Sequence, residues 1–190
     1  ALFGGAGNDT LDAGTDPNAN QQDTLRGGNG ADRLVTRFDD KAFAGPGRDE
    51  IVATGIGSAI NAGQGQDTIQ SIFADATIEG GFAADTLNIQ NRSKDVLVYE
   101  GIQDSPNAEP DTVTGGFDSE DIFRFVADPG DDFLINSTID YIYNDAFAGD
   151  GDTVEVRYDN GNDELQIDTD GAGAGEMTIK FGTRFAAGDF

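Results

Sequence analysis

Large apolar residues tick along the first half of the chain at a nearly constant interval. From Leu25 the series runs Leu34, Phe43, Ile51, Ile60, Ile69, Ile78, Leu87 and Val96, with one gap of eight residues and the rest nine. Leu11 joins the series if Pro17 to Gln22 is a loop insertion. A nine-residue apolar period fits neither an amphipathic helix nor a long alternating strand. It fits short strands joined by turns, each strand placing one apolar residue inward, as Thr68-Ile69-Gln70 would with Ile69 inside.

Between the apolar positions lies a turn pattern. Gly4-Gly5-Ala6-Gly7-Asn8-Asp9-Thr10-Leu11-Asp12 recurs as Gly27-Gly28-Asn29-Gly30-Ala31-Asp32-Arg33-Leu34-Val35. Looser copies start at Ala44, Ala62 and Gly80, carrying Gly45, Gly47 and Asp49, then Gly63, Gly65 and Asp67, then Gly81 and Asp85. Alternate glycines permit positive φ and let the backbone curl so that its carbonyls converge, and the Asp then offers a carboxylate. Asp9, Asp32, Asp49, Asp67 and Asp85 are 23, 17, 18 and 18 residues apart, twice the apolar period. The intervening repeats carry Lys41, Ser58, Ala76 and Lys94 near the Asp position. With two nonapeptides per coil, the acidic turns stack on one edge and the degenerate ones on the other. Coils stacked at the spacing of hydrogen-bonded strands, about 4.8 Å, let an ion between consecutive turns reach oxygens of both at calcium distances of about 2.3–2.6 Å. Magnesium, which demands stricter octahedral geometry, fits poorly.

These repeats resemble the RTX (hemolysin-type) nonapeptide G-G-x-G-x-D-x-U-x, with U a large apolar residue. The resemblance implies an all-β fold, a right-handed parallel β-roll with calcium between its turns. It implies a metal set of Gly5, Gly7, Asp9, Gly28, Gly30, Asp32, Gly45, Gly47, Asp49, Gly63, Gly65, Asp67, Gly81 and Asp85, holding about three to five Ca²⁺ ions. The Asp85 turn departs from the motif, with Ala83 in place of the glycine at the fourth position. Asp23, after the insertion, is a candidate for one site on the opposite edge.

After Val96 the regularity stops, and the chain divides into a calcium-binding roll over 1–100 and a degenerate final repeat, β cap and tail over 101–190. Asp104 to Asp111, with Pro106 and Pro110, reads as an excursion loop, and Thr114 to Phe125 as the last motif-like turn. Alternation in Thr153 to Tyr158 and Glu164 to Asp168 predicts two strands joined by the turn Asp159-Asn160-Gly161-Asn162, with a further strand at Met177 to Phe181. The end of the chain resembles the cap of RTX proteins exported by type I secretion, which would place the exporter's signal near Arg184 to Phe190. Asp168-Thr169-Asp170-Gly171 is not an EF-hand loop, since its Gly comes two positions early and no Glu follows at the twelfth place. Asp150-Gly151-Asp152 reads as an exposed acidic turn.

Composition changes the picture in three ways. With 36 acidic against 11 basic residues and a net charge of −25, the chain is a poor partner for nucleic acid or anionic membranes. It has no Cys and no His, which removes disulfides, thiolate and imidazole metal sites and His-based catalysis, leaving hard, oxygen-bound cations. The longest apolar run is the four residues Val96 to Tyr99, far short of the roughly 20 needed to span a bilayer. The expectation is therefore a secreted, calcium-folded module, itself not an enzyme, downstream of a passenger domain. The competing expectation is a structural spacer of a calcium-dependent adhesin, surface layer or matrix protein.

Overall fold

The computed structural model describes residues 1–15, 21–72, 75–90, 94–116, 121–126, 139–143, 154–159, 161–168 and 175–182. Among these residues every regular element is a strand, and no helix is long and apolar enough to cross a membrane. The chain winds between two sheets. One sheet takes β1 (Leu2–Ala6), β3 (Thr24–Asn29), β5 (Lys41–Pro46), β7 (Ala59–Gln64), β9 (Thr77–Phe82), β11 (Val96–Tyr99) and β13 (Ile122–Phe125), all parallel and in that order. The other takes the strands between them: β2 (Thr10–Asp12), β4 (Arg33–Thr36), β6 (Glu50–Ala53), β8 (Thr68–Ser71), β10 (Thr86–Ile89) and β12 (Asp111–Gly115). Each coil thus contributes one strand to each sheet, which is a parallel β-roll. Parallel stacking runs on beyond the nonapeptides into β12 and β13.

The second sheet is extended by β14 (Ile139–Tyr143), β15 (Val154–Asp159), β16 (Glu164–Asp168) and β17 (Met177–Phe181). β17 pairs parallel with β12, β16 lies antiparallel to both β15 and β17, and β14 is parallel to β15. The hairpin and the Met177 strand read from sequence are therefore present. The tail Arg184 to Phe190, Asp150-Gly151-Asp152, Asn160 and the acidic turn beyond Asp168 lie outside the described residues.

The core is a stack of apolar columns between the sheets. Leu11, Leu34, Ile51, Ile69, Leu87 and Val113 stand in register on one side, and Leu25, Ala42, Ile60, Ile78 and Leu97 on the other, all buried. Full burial of each Leu or Ile stabilises by about 1.5–3 kcal/mol, which is how a chain so poor in apolar residues still holds a core. Two positions of the nine-residue series are corrected: Ala42 and Leu97 point inward, whereas Phe43 and Val96 are only partly buried. The cause is turn length. The turn before β5 is one residue short of those in the next coils, so Leu25 pairs with Ala42 seventeen residues on, while Ala42 pairs with Ile60 eighteen on. Phe43 instead stacks on the outer face, 4.5 Å beneath the Arg26 guanidinium. At the far end Tyr99, Phe123, Phe125, Tyr158 and Phe181 fill the widening space with ring contacts of 5.8–6.5 Å and join the roll to the added strands.

Candidate metal edge

Each passage from β1, β3, β5, β7 and β9 to the second sheet is made by a glycine turn that ends in Asp, and these turns stack. The Asp side chains form a continuous ladder. The N–H of Asp9 donates to Oδ1 of Asp32, that of Asp32 to Asp49, and that of Asp49 to Asp67, each at 2.7 Å. Asp67 and Asp85 continue it to Asp85 and Asp111 at 2.8 Å. All five Asp residues read from sequence are therefore brought into one row. Asp111, which the nonapeptide pattern missed because the excursion loop separates it from the repeats, is the sixth. Its own N–H donates to the Ser105 hydroxyl, which in turn donates to the Thr178 carbonyl on β17, so the row ends on the added strands.

The main chain around the row is open enough to let oxygens converge. A side chain at Gly63 would place its Cβ 2.5 Å from the Gly45 carbonyl oxygen of the previous coil, and one at Gly28 would collide with that of Gly5. The carbonyls of Gly5, Gly28, Gly45 and Gly63 are thus packed turn over turn, against the next turn's glycine. In the fourth motif position Gly7, Gly30 and Gly65 have φ of 109°, 129° and 122°, a region that non-glycine residues enter only under strain. Ala83 holds the same place in the Asp85 turn with φ of 90°, so the departure from the motif is absorbed as backbone strain rather than as a different turn. Gly47 is not in that region; its missing Cβ leaves room for the Gly30 carbonyl instead.

The ladder uses only Oδ1 of Asp32, Asp49, Asp67, Asp85 and Asp111. Oδ2 of Asp9, Asp32, Asp49, Asp67 and Asp85 is buried and has no hydrogen-bond partner. A buried carboxylate oxygen left bare costs free energy, and here the cost recurs in every coil. Burial pushes Asp67 up to about 7 and Asp85 to about 8, with the neighbouring carboxylates adding to the rise against the pull of the ladder bonds. Asp111 is raised to about 9 by burial first and by the Asp85 charge second, beside the Tyr99 hydroxyl. Burial raises Asp49 as well. Among the described residues no three carboxylates converge on one point. A cation on this edge would therefore draw its ligands from Asp oxygens together with main-chain carbonyls. Hard oxygen donors, unpaired carboxylate oxygens and stacked glycine carbonyls fit calcium.

The opposite edge carries acids too. The positions before the strands of the first sheet are Asp23, Asp40, Ser58, Ala76, Asp95 and Asp121, linked coil to coil by main-chain bonds. Asp40 and Asp95, rather than Lys41 and Lys94, occupy the register of the motif Asp, again because of the altered turn lengths. The N–H of Asp23 donates to Asp40 Oδ1 at 2.7 Å and that of Asp95 to Asp121 Oδ1 at 2.8 Å.

Residues 2–190 match the family model described as Peptidase M10 serralysin C terminal. Comparison with curated proteins finds no match.

Proposed function

The chain belongs to the serralysin C-terminal family, calcium-binding repeat modules of secreted proteins, and on that premise we propose that the Asp9 to Asp111 edge is where this chain takes up calcium and that calcium drives its folding. The observation that carries the reading is the row of buried Oδ2 atoms without partners, one per coil. In the absence of a cation these charges repel across adjacent turns, and protonation or unfolding is the way to relieve them. Calcium turns the same atoms into ligands, so its binding free energy becomes folding free energy.

Gly5, Gly28, Gly45, Gly63 and Gly81 would contribute carbonyl oxygens, Gly7, Gly30, Gly47 and Gly65 would shape the turns, and Asp9, Asp32, Asp49, Asp67, Asp85 and Asp111 would supply carboxylates. Five intervals separate six Asp residues, in line with about three to five ions. The segment itself is non-catalytic in this reading: its buried acids are committed to the ladder, and the activity of the parent protein resides in a passenger domain. Sites of the extracellular type, with dissociation constants of roughly 10⁻⁴–10⁻³ M, stay empty in a low-calcium cytosol. The chain then crosses a type I exporter unfolded, led by its C-terminal tail, and folds outside.

Far-UV circular dichroism during a calcium titration from a chelated start, with magnesium as control, tests this. The expected result is a cooperative coil-to-β transition that magnesium does not produce. A full β signal in chelator, unchanged by calcium, overturns the folding switch.

A further inference from the structure

The two edges of the roll differ in how their carboxyl groups are satisfied. On the first edge every motif Asp keeps a buried oxygen without a partner. On the second, Asp40 and Asp95 each draw two protein donors. Asp40 accepts the Asp23 N–H on Oδ1 and the Arg37 N–H on Oδ2, both at 2.7 Å. Asp95, fully buried, accepts the Ala76 N–H at 2.7 Å and the Ser71 hydroxyl at 2.9 Å, both on Oδ1. Where an Asp is missing, the Ser58 hydroxyl closes the turn by donating to the Arg37 carbonyl at 2.7 Å, and Ala76 leaves no side chain to satisfy. Among the described residues, no carboxyl oxygen on this edge is both buried and without a hydrogen-bond partner.

The carbonyl arrangement differs as well. The first edge repeats two glycines per turn whose Cα atoms pack on carbonyls of the previous coil. The second has turns of unequal length, and among the described residues the pair of stacked glycine carbonyls does not recur. In the turn after β6 a Cβ on Gly55 would collide with the Arg37 main chain, and one on Gly57 with the Asp39 carboxyl.

We propose that the roll is locked differently along its two edges: by calcium on the Asp9 to Asp111 edge, and at Asp40, Ser58 and Asp95 of the opposite edge by the protein's own hydrogen bonds, with no ion bound there. The acids there are structural acceptors. The proposal rests on the calcium reading of the first edge.

The test counts ions on the 190-residue chain by equilibrium dialysis against radioactive calcium, with thermal unfolding at saturating calcium beside it. Asp95→Asn and Asp40→Asn should bind as many ions as the unsubstituted chain, with midpoints within about twofold, whereas Asp67→Asn should bind fewer. Asp95→Ala and Ser71→Ala should lower the melting temperature by about 5 °C or more at an unchanged ion count. Loss of an ion in Asp95→Asn or Asp40→Asn overturns the proposal; the Asn variants keep the Oδ1 acceptor, so the count stays readable if an Ala variant does not fold. Should the unsubstituted chain bind no calcium at all, the proposed function fails, and the seam is still judged by whether Asp95→Ala and Ser71→Ala melt early in chelator.

Discussion

The main-chain N–H of Asp49 donates to Oδ1 of Asp67, 18 residues further on, at 2.7 Å, while Oδ2 of the same carboxylate is buried with no partner. One oxygen holds the coils together and the other is left for a ligand. Asp67→Asn keeps an acceptor for the ladder and removes the charge, so it should raise the calcium midpoint of β formation about tenfold while preserving the roll at high calcium. Asp67→Ala loses both roles and should raise the midpoint further. Asp159→Ala is the control: that carboxylate is exposed in the β15–β16 turn, capping Gly161 N–H at 2.8 Å, and its loss should leave the midpoint unchanged. Equal effects at Asp67 and Asp159 in a calcium titration would remove the ladder from the binding account.

The raised carboxyl groups set a pH dependence whose sign is fixed. Asp67, Asp85 and Asp111 are lifted from about 4 to about 7, 8 and 9, burial being the first cause in each. A raised folded-state value means that the folded chain binds more protons than the unfolded one. The calcium-free roll is therefore favoured below about pH 4, and that advantage is lost as pH rises through 7 to 9. The protons are held only by the folded calcium-free roll, whereas the coil is already ionised at pH 7, so the β signal in chelator should grow as pH falls from 7 toward 4. Circular dichroism in chelator that shows no such gain would contradict this ordering.

Ala83 offers a gain of stability rather than a loss. With φ of 90° it sits where Gly7, Gly30 and Gly65 sit in the other turns, a conformation that costs a non-glycine residue roughly 1–2 kcal/mol, partly offset by glycine's greater freedom in the unfolded chain. Ala83→Gly should raise the melting temperature at saturating calcium by about 2–4 °C, as about 1 kcal/mol does for a chain of this size. Gly65→Ala should do the reverse and more, since it combines a φ of 122° with a Cβ that would collide with the Gly47 carbonyl oxygen. Differential scanning calorimetry of both variants checks the opposite signs.

How much of this was legible in the sequence depends on which signal is followed. The nonapeptides placed Asp9 to Asp85 in one row and the two-repeat coil correctly, because turn chemistry and strand period are local. The nine-residue count slipped at Phe43 and Val96 because turn length varies and a count carries no correction for it. A shorter signal survives the slips: an Asp stands two residues before the inward side chain in Asp9/Leu11, Asp23/Leu25, Asp32/Leu34, Asp40/Ala42, Asp95/Leu97, Asp111/Val113 and Asp121/Phe123. It holds because the Asp closes the turn at the strand's start, one residue before it or, for Asp111, as its first residue, whatever the length of the turn. The lone oxygens of the first edge could not be read this way. The two edges share the same Asp signature, and the glycine pairs that set them apart in sequence do not reveal which carboxyl oxygens have protein partners such as the Arg37 N–H and the Ser71 hydroxyl.

The register of β5 yields the last prediction. Periodicity alone makes Phe43 a core residue, and removing a buried Phe costs about 3–5 kcal/mol. In the roll it lies outside, under Arg26, and a partly exposed cation–π contact is worth about 0.5–1 kcal/mol. Phe43→Ala should therefore lower stability by only about 1 kcal/mol. Ala42→Leu, one residue earlier, pushes three extra carbons between Leu25 and Ile60 in a fully buried column and should cost about 1–3 kcal/mol or more. Ile69→Ala provides the scale, at about 2–5 kcal/mol for a buried Ile. Denaturant unfolding at fixed, saturating calcium ranks the three. If Phe43→Ala proves as damaging as Ile69→Ala, β5 is shifted by one residue, and Asp40 loses the register on which its pairing with Asp23 depends.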